Sequence, residues 1–476
     1  MSNFFELKRP KPLNLPLEVQ RQKWMSQFFK AFSVVFMVYF ASYMIRQNMN
    51  AASLAMTKDK DLGLNMKQLA NLLTFHSIAY GIGKLILGFL ADRKNTKKLI
   101  SFLVVIGGLC NVLIGILFFS TKNVTIITLG TAILWGINGF VLSPGGPCAF
   151  STIMRWQPKS KQATWLSRWN ISHNVGGAIA APFAAMVAAK FFSNNVGGFF
   201  ILPGLLAIGI GAWGISFGYD DPKELGWDKA DKVYNEVDNE AELEEEAEEK
   251  TQGEELSKWQ IFLKYVITNP WILIVCFANI FVYILRMGIT KWIIVYAGTQ
   301  LPKSDIAQVS TLLMYIEFTA IIGSLFFGWL TDKLKGRRMI VSGIITLSLS
   351  GGILIYQNAK SYGQLAVAMC ICGFLFFGPQ LLIGISVVKF APKKAIAVAN
   401  GLSGTFGYLL GDVLALQLIG RLVGGKISKE NADKLDFTNM FIVLIVSAII
   451  GTILMFIAAI GEERNIRKEQ ALKKNK

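Results

Sequence analysis

Charge is what this sequence has least of. Asp, Glu, Lys and Arg make up 17% of its 476 residues, against roughly a quarter in an ordinary soluble domain. Acid is scarce outside one stretch, because residues 220–255 hold 16 of the 31 Asp and Glu, against four Lys. Histidine occurs only twice and cysteine five times. Cys110, Cys148, Cys276, Cys370 and Cys372 sit in apolar stretches without metal-ligand spacing. Neither a disulfide framework nor a metal site is therefore expected, and no cofactor is implied. No nucleophile–base constellation is visible, so the chain does not read as an enzyme; a membrane-embedded phosphatase is the weak remaining catalytic reading. The first 28 residues are polar, include Lys8, Arg9, Lys11, Arg21 and Lys23, and lack a small-residue cleavage site. They read as an uncleaved tail, not a secretory signal.

What is present is hydrophobic, at 53% of residues and a mean hydropathy of +0.45. The apolar residues fall in long runs, among them Val34–Ile45, Phe102–Ser120, Phe199–Phe217, Trp271–Leu285, Gly363–Val388 and Met440–Ile460. A helix needs about 20 such residues to cross a bilayer with every backbone amide satisfied inside the segment. A soluble helical protein could not cover so many runs with polar surface. Twelve spans are expected, near 28–56, 67–91, 98–120, 124–150, 163–191, 197–218, 268–298, 306–331, 338–357, 363–389, 395–422 and 437–461. The fold class is an all-α membrane protein.

Lys and Arg concentrate in the tails, the central linker and alternate loops, which places both termini in the cytoplasm. The net charge of +17 reflects this asymmetry and does not point to nucleic acid. The acidic segment, with its Glu-Ala-Glu-Leu-Glu-Glu-Glu run from Glu240, reads as a solvated tether or short exposed helix. A partner-binding role for it is the minor alternative.

The chain repeats itself. Gly88-Phe-Leu-Ala-Asp92-Arg93 lines up with Gly328-Trp-Leu-Thr-Asp332-Lys333 at an offset of 240, and Tyr43-Met-Ile-Arg46 with Tyr283-Ile-Leu-Arg286 at the same offset. Gln157-Pro-Lys159 pairs with Ala391-Pro-Lys393. The expected domains are a six-helix half at 1–219, an acidic linker at 220–257 and a second six-helix half at 258–476. In the first pair, a Gly permits close helix approach, and Asp92 with Arg93, like Asp332 with Lys333, faces a basic turn that can latch helices in one conformation.

A permanently charged Arg inside a spanning helix costs at least ~2.5–3.5 kcal/mol on insertion scales, so its default reading is functional. Arg46 and Arg286 are such residues, with apolar positions expected to continue for about ten residues beyond each. Pseudo-symmetry would set them facing each other across a central cavity. Two guanidiniums make a good oxyanion site, because each can donate two parallel hydrogen bonds to a phosphate. The opposing reading is that each pairs privately with a buried acid, for which Glu317 and Asp412 are the clear candidates. Asn170, His173, Asn174 and Gly177 share one face of the fifth helix by their steps of three and four. His173 on that stripe is a candidate ligand contact, whereas His76 reads as a packing residue. Lys84 is a further cation that could guide an anion or pair with helix-end acids.

These residues, with Leu15-Pro-Leu-Glu-Val, Ala79-Tyr-Gly-Ile-Gly-Lys84, Trp169-Asn-Ile-Ser-His173-Asn, Lys258-Trp-Gln-Ile-Phe, Phe277-Ala-Asn-Ile-Phe-Val-Tyr-Ile-Leu-Arg286 and Gly378-Pro-Gln-Leu-Leu-Ile-Gly, resemble the organophosphate:phosphate antiporters of the major facilitator superfamily, and within them the bacterial hexose-6-phosphate members. The resemblance covers essentially the whole chain. It implies a multi-pass protein of the bacterial cytoplasmic membrane, functional as a monomer, that exchanges a sugar phosphate for inorganic phosphate by rocking two halves about a midplane cavity. It implies that Arg46 and Arg286 hold the phosphate and His173 assists, while Tyr43, Tyr283, Asn170, Glu317 and Asp412 line the cavity. Two departures stand out. Gln47 occupies a position where relatives commonly have Lys, and Asp412 is followed by Val413, Leu414, Ala415, Leu416 and Gln417 instead of a nearby Lys. A sugar-phosphate sensor of the same fold, or an antiporter for glycerol-3-phosphate or phosphoglycerate, are the alternatives.

Overall fold

The computed structural model describes residues 5–6, 10, 13, 15–59, 61–91, 94–236, 260, 262–334, 336–392, 395–423 and 435–474. Twelve long helices account for most of them. The first six are α1 (Leu17–Lys58), α2 (Met66–Ala91), α3 (Thr96–Ser120), α4 (Val124–Trp156, interrupted at Ser143 and Pro144), α5 (Lys159–Phe192) and α6 (Gly198–Ser216). The second six are α7 (Pro270–Gln300), α8 (Ile306–Lys333), α9 (Arg338–Asn358), α10 (Tyr362–Phe390), α11 (396–423) and α12 (Thr438–Lys474). Among the described residues, 11 helices are long and apolar enough to cross a membrane. The remaining one, α2, has 26 residues, more than the ~20 a bilayer requires. Helix starts follow local chemistry. Asn95, Asn123, Asn269 and Ser361 cap α3, α4, α7 and α10 by accepting hydrogen bonds from their first free amides.

The internal repeat recurs in the packing. In the first half α3 packs on α6, α1 on α5 and α2 on α4; in the second, α9 packs on α12, α7 on α11 and α8 on α10. The halves meet through α2 with α11, α5 with α8 and α1 with α7. Call the end bearing both termini the near end and the opposite end the far end. At the far end one continuous core runs through both halves, joining Leu54, Met56, Leu69 and Ala188 to Ile294, Ala297, Val309 and Leu416. Near-end residues fall instead into separate cores, one around Trp24, Phe28 and Trp156, another around Val266, Met339 and Met455. The far-end core is thus shared by both halves, and the near-end cores differ, the first of them taking in Ile280, Tyr283 and Tyr408 of the second half at mid-depth.

Three sequence expectations change. The first 28 residues are not all a polar tail, because α1 begins at Leu17 and buries Gln20, Trp24 and Phe28. At the other terminus α12 runs to Lys474, past its expected limit at 461. The start of the linker is not a solvated tether either. Asp220 is fully buried, and its carboxylate accepts from the Thr96 amide and hydroxyl, the Lys97 amide, the Thr152 hydroxyl and the Arg155 guanidinium. Asp221 and Glu224 form a capping box on the next turn, and Trp227 stacks on Trp24 at 5.8 Å. Burial pushes the Glu224 carboxyl above the usual carboxylate range, against the pull of the Asp220 amide hydrogen bond. The reason is pairing: at 220–224 the acids find backbone amides and an arginine instead of water. The Glu240 run lies outside the described residues.

The loop motif also reads differently in three dimensions. A side chain at Gly328 would meet nothing within 4 Å, so this Gly is not there to let helices touch. Asp332 and Lys333 are exposed, and Lys333 lies over the Trp329 ring at 4.2 Å. Asp92 and Arg93 lie outside the described residues.

Removing the Asp220 carboxylate leaves a helix start and Arg155 unpaired in a buried site, a loss of about 3–5 kcal/mol. Asp220→Ala should therefore lower the midpoint of thermal unfolding in detergent sharply. An unchanged midpoint would show that the docked segment does not hold the first half together.

Candidate functional site

α1 and α7 run side by side through the centre; Arg286 stands half-way along α7 and Arg46 in the far-end third of the longer α1. Arg46 and Arg286 are both 5% exposed. Arg46 lies over the rings of Tyr80 (4.5 Å), Tyr43 (5.6 Å) and Tyr408 (5.6 Å). Arg286 lies over Phe377 at 4.3 Å and donates from Nη1 to Gln380 Oε1 at 2.6 Å. Neither arginine forms a salt bridge among the described residues. Tyr43, Tyr408, His173, Glu317 and Lys291 each feel the charge of both guanidiniums, so the two act on one shared space.

Most residues picked out from the sequence converge there. His173 is buried among Tyr43 (5.3 Å), Phe377 (6.1 Å) and Tyr39 (6.4 Å). Glu317 is 2% exposed and accepts from Asn174 Nδ2 at 2.9 Å, a bond from one half to the other. That contact needs Gly177, where an added Cβ would lie 3.2 Å from the Glu317 carboxyl. Tyr283 and Tyr408 rings sit 5.0 Å apart. Lys84 is half-buried, over the Tyr408 ring at 5.3 Å. Asn170 does not join the group, being exposed although Trp169 and His173 beside it are buried. His76 is fully buried and packs against Trp135 and Tyr80 rings, as a packing residue does.

The site also contains residues the sequence did not single out. Tyr39, Tyr80, Tyr408 and Phe377 supply its aromatic walls, and only Tyr80 stood in a quoted motif. Tyr408 and Asp412 are presented by a π-helical stretch, Phe406–Asp412, inside α11; such bulges recur at functional sites. This stretch reaches α7 because Gly411 has no side chain, since a Cβ there would fall 2.5 Å from Tyr283 Cβ and 2.7 Å from the Ile280 carbonyl oxygen. Lys291 corrects an expectation. The run beyond Arg286 is not apolar for ten residues, because Lys291 interrupts it and is itself 3% exposed. A lysine in a spanning helix was the available signal.

Asp412 is not unpaired as its sequence context suggested. Its Oδ2 accepts from Ser77 Oγ of the first half at 2.7 Å, and Lys291 and Arg46 both feel its charge.

A family model described as Major Facilitator Superfamily matches residues 35–416. The chain belongs to the major facilitator superfamily. It is 38% identical over 473 residues to a hexose-6-phosphate:phosphate antiporter of Escherichia coli (strain K12), covering 99% of each chain. It is 28% identical over 429 residues to a glycerol-3-phosphate transporter of Bacillus subtilis (strain 168), covering 90% of this chain and 91% of the other. A crystal structure of a bacterial homologue of the human lysosomal transporter Spinster, in an inward-facing and occupied conformation, has a TM-score of 0.64 at 13% identity, covering 92% of this chain and 97% of that one. At that identity the likeness speaks for the fold alone.

In major facilitator terms the chain is a transporter with a buried, cation-rich centre. Arg46, Arg286 and Lys291 are almost fully buried against two buried carboxylates, Glu317 and Asp412, and half-buried Lys84 adds to the excess. Aromatic faces stabilise guanidiniums by about 0.5–2 kcal/mol each, which is a partial offset that leaves the positive field intact. Cross-half contacts bracket this field on two sides, Asn174 to Glu317 and Ser77 to Asp412.

Asn174→Ala leaves a buried carboxylate without its donor, at about 1–3 kcal/mol. The far end should then open more often. A cysteine placed at Leu54, now 1% exposed, should react on the order of tenfold faster with an impermeant maleimide. Equal labelling with and without Asn174 would remove this bond from the closure.

Proposed function

We propose that the chain is an antiporter that exchanges a sugar phosphate, hexose 6-phosphate foremost, for inorganic phosphate. The observation that carries this reading is a pair of buried guanidiniums at repeat-equivalent positions, Arg46 and Arg286, without salt-bridged acids among the described residues. Full-length similarity to a hexose-6-phosphate:phosphate antiporter, at 38% identity, supports the substrate class.

In this reading Arg46 and Arg286 clamp the phosphoryl group through parallel charge-assisted hydrogen bonds, and His173 adds a contact from α5. Tyr43, Tyr283, Glu317 and Asp412 meet the remainder of the ligand, and Lys84 draws the anion in from the near end. Asn170, exposed on the same helix, lines the way in. Obligate exchange follows from electrostatics. Two like charges in a low-dielectric site repel when empty and oppose closure around them, and a bound anion reverses that sign. The six-helix halves at 1–219 and 258–476 rock about the site, with the 220–257 segment between them. Repeated Asp332 and Lys333, with Asp92 and Arg93, act on the near-end loops during that motion.

The near end is cytoplasmic, the membrane is the bacterial cytoplasmic membrane and the working unit is a monomer. No bond in the ligand is made or broken. Similarity to a glycerol-3-phosphate transporter supports a second reading in which a smaller ester is preferred. A sensor of the same fold would bind the ester without exchanging it.

Counterflow of labelled phosphate in proteoliposomes, against hexose phosphates, glycerol-3-phosphate, phosphoglycerate and phosphoenolpyruvate, tests the reading. Arg46→Lys and Arg286→Lys should each lower exchange on the order of 100-fold while inserting normally, because an ammonium cannot reproduce the bidentate fork. Full exchange in either variant would remove the clamp, and binding without exchange would favour the sensor.

A further inference from the structure

The two guanidiniums are held in different ways. Arg46 lies over three tyrosine rings and, among the described residues, makes no hydrogen bond. Arg286 is gripped twice by α10: it lies over the Phe377 ring at 4.3 Å, and Gln380 Oε1 accepts from its Nη1 at 2.6 Å. Residues three apart share one face of a helix, so ring and amide take the guanidinium together, one on its face and one on its edge. The helix that carries them is itself fixed at this level. Gly378, between the two, lets α10 close on α8, since a Cβ there would lie 2.7 Å from Phe327 Cδ2. Pro379 stands inside α10 beside Gln380, where it removes one helix hydrogen bond.

The difference is written into the repeat. Pro379 of α10 corresponds to Pro144 of α4 at an offset of 235, close to the 234 that relates Pro158 to Pro392. At that register the place of Gln380 is taken by Gly145, where an added Cβ would fall 2.9 Å from Tyr39 Cε2. Tyr39 fills that space in the first half, and Arg46 is left with ring faces alone. A ring face attracts a cation from many directions, whereas a hydrogen bond holds one N–H along one line. An amide oxygen also leaves the guanidinium its charge. A carboxylate in the same place would form an ion pair and compete with any anion for the fork.

We propose that Gln380 is a positioning residue of the clamp, whose neutral oxygen sets the Arg286 guanidinium for the phosphoryl group without taking its charge. This rests on the phosphate-ester exchange reading. One N–H of Arg286 is spent on Gln380, and the other donors, which no described residue takes, are left for the ligand. Arg286 is thereby the preset member of the clamp. Arg46, tied by no hydrogen bond among the described residues, is the member that adjusts to the bound ester.

Apparent affinity and maximal rate of phosphate self-exchange and of hexose 6-phosphate counterflow are measured in proteoliposomes for the unaltered protein, Gln380→Met and Gln380→Glu. Gln380→Met should lower apparent affinity about tenfold, by the same factor for phosphate and for ester, with maximal rate within about threefold. Gln380→Glu keeps an acceptor at the same reach but pairs with Arg286. Its exchange should fall on the order of 100-fold while its midpoint of thermal unfolding in detergent is no lower than that of the unaltered protein. A merely structural bridge between α7 and α10 gives the reverse: Gln380→Glu active, and Gln380→Met impaired in maximal rate or unfolding midpoint with its affinity intact. That result would overturn the assignment. Tighter binding by Gln380→Met would overturn it too, by making Gln380 a placeholder that the anion displaces. Should Gln380→Met fail to insert, Gln380→Asn, one methylene shorter, is expected to show the same affinity loss. Absence of self-exchange in the unaltered protein would overturn the exchange reading itself, and this role with it; self-exchange there with affinity unchanged in Gln380→Met would overturn only the role of Gln380.

Discussion

Everything in this molecule is arranged around positive charge held where water is scarce. A guanidinium cannot shed its proton to escape a low dielectric, so the surrounding protein must compensate it or leave it poised for an anion. Here compensation is partial. Tyrosine and phenylalanine faces and the Gln380 oxygen soften the fields of Arg46 and Arg286, and two carboxylates oppose four cations around the site. What remains is an unsatisfied positive field at the junction of two halves. Such a field costs energy in the empty protein, and an anion removes the cost. In the proposed exchange, this links ligand occupancy to how readily the halves close.

The same junction decides the conformation. At the far end the two halves share one apolar core, and two polar contacts cross between them close to the charges. Near-end residues of the two halves fall into different cores, which approach each other at mid-depth through Tyr283, Phe406 and Tyr408. Glycines set how closely the helices can meet: a side chain at Gly81 would fall 2.4 Å from Leu409, across the α2–α11 contact. A shared core at one end and different cores at the other is one arrangement of a rocking pair. The carboxylates that seal it, Glu317 and Asp412, also face the guanidiniums, so the gate and the site share their charges.

Rocking requires that each half move as a body. Both halves fasten the start of their third helix to an acid on the near-end side of their sixth-helix packing partner, just after that helix in the first half and within it in the second. Asp220 accepts from the Thr96 amide at 2.9 Å, and Glu462 of α12 accepts from the Met339 amide at 2.8 Å. A buried carboxylate on a helix N-terminus meets both free amides and the positive end of the helix dipole. Repetition of the device ties each near end internally.

Long apolar runs declared the membrane spans, because a bilayer imposes a length and a polarity that composition alone reveals. The repeat declared the pairing of Arg46 with Arg286, because gene-level symmetry survives as matched residues at a fixed offset. The repeated loop motif was legible as a pattern, but a side chain at Gly328 would meet nothing within 4 Å, since a motif records spacing and not contact. The aromatic walls were not legible: Tyr80, Tyr408 and Phe377 look like any ring in an apolar helix until three helices converge. The π-helical stretch, the docking of residues 220–236 and the partnership of Asp412 with Ser77 likewise depend on contacts more than a hundred residues apart. The sequence by itself determined the number of spans, the symmetry and the presence of buried cations, all consequences of local composition in a bilayer. Only the tertiary structure decided which groups neutralise those cations and which face each other unsatisfied, because electrostatic energy depends on distance and burial, and neither is written in the order of residues.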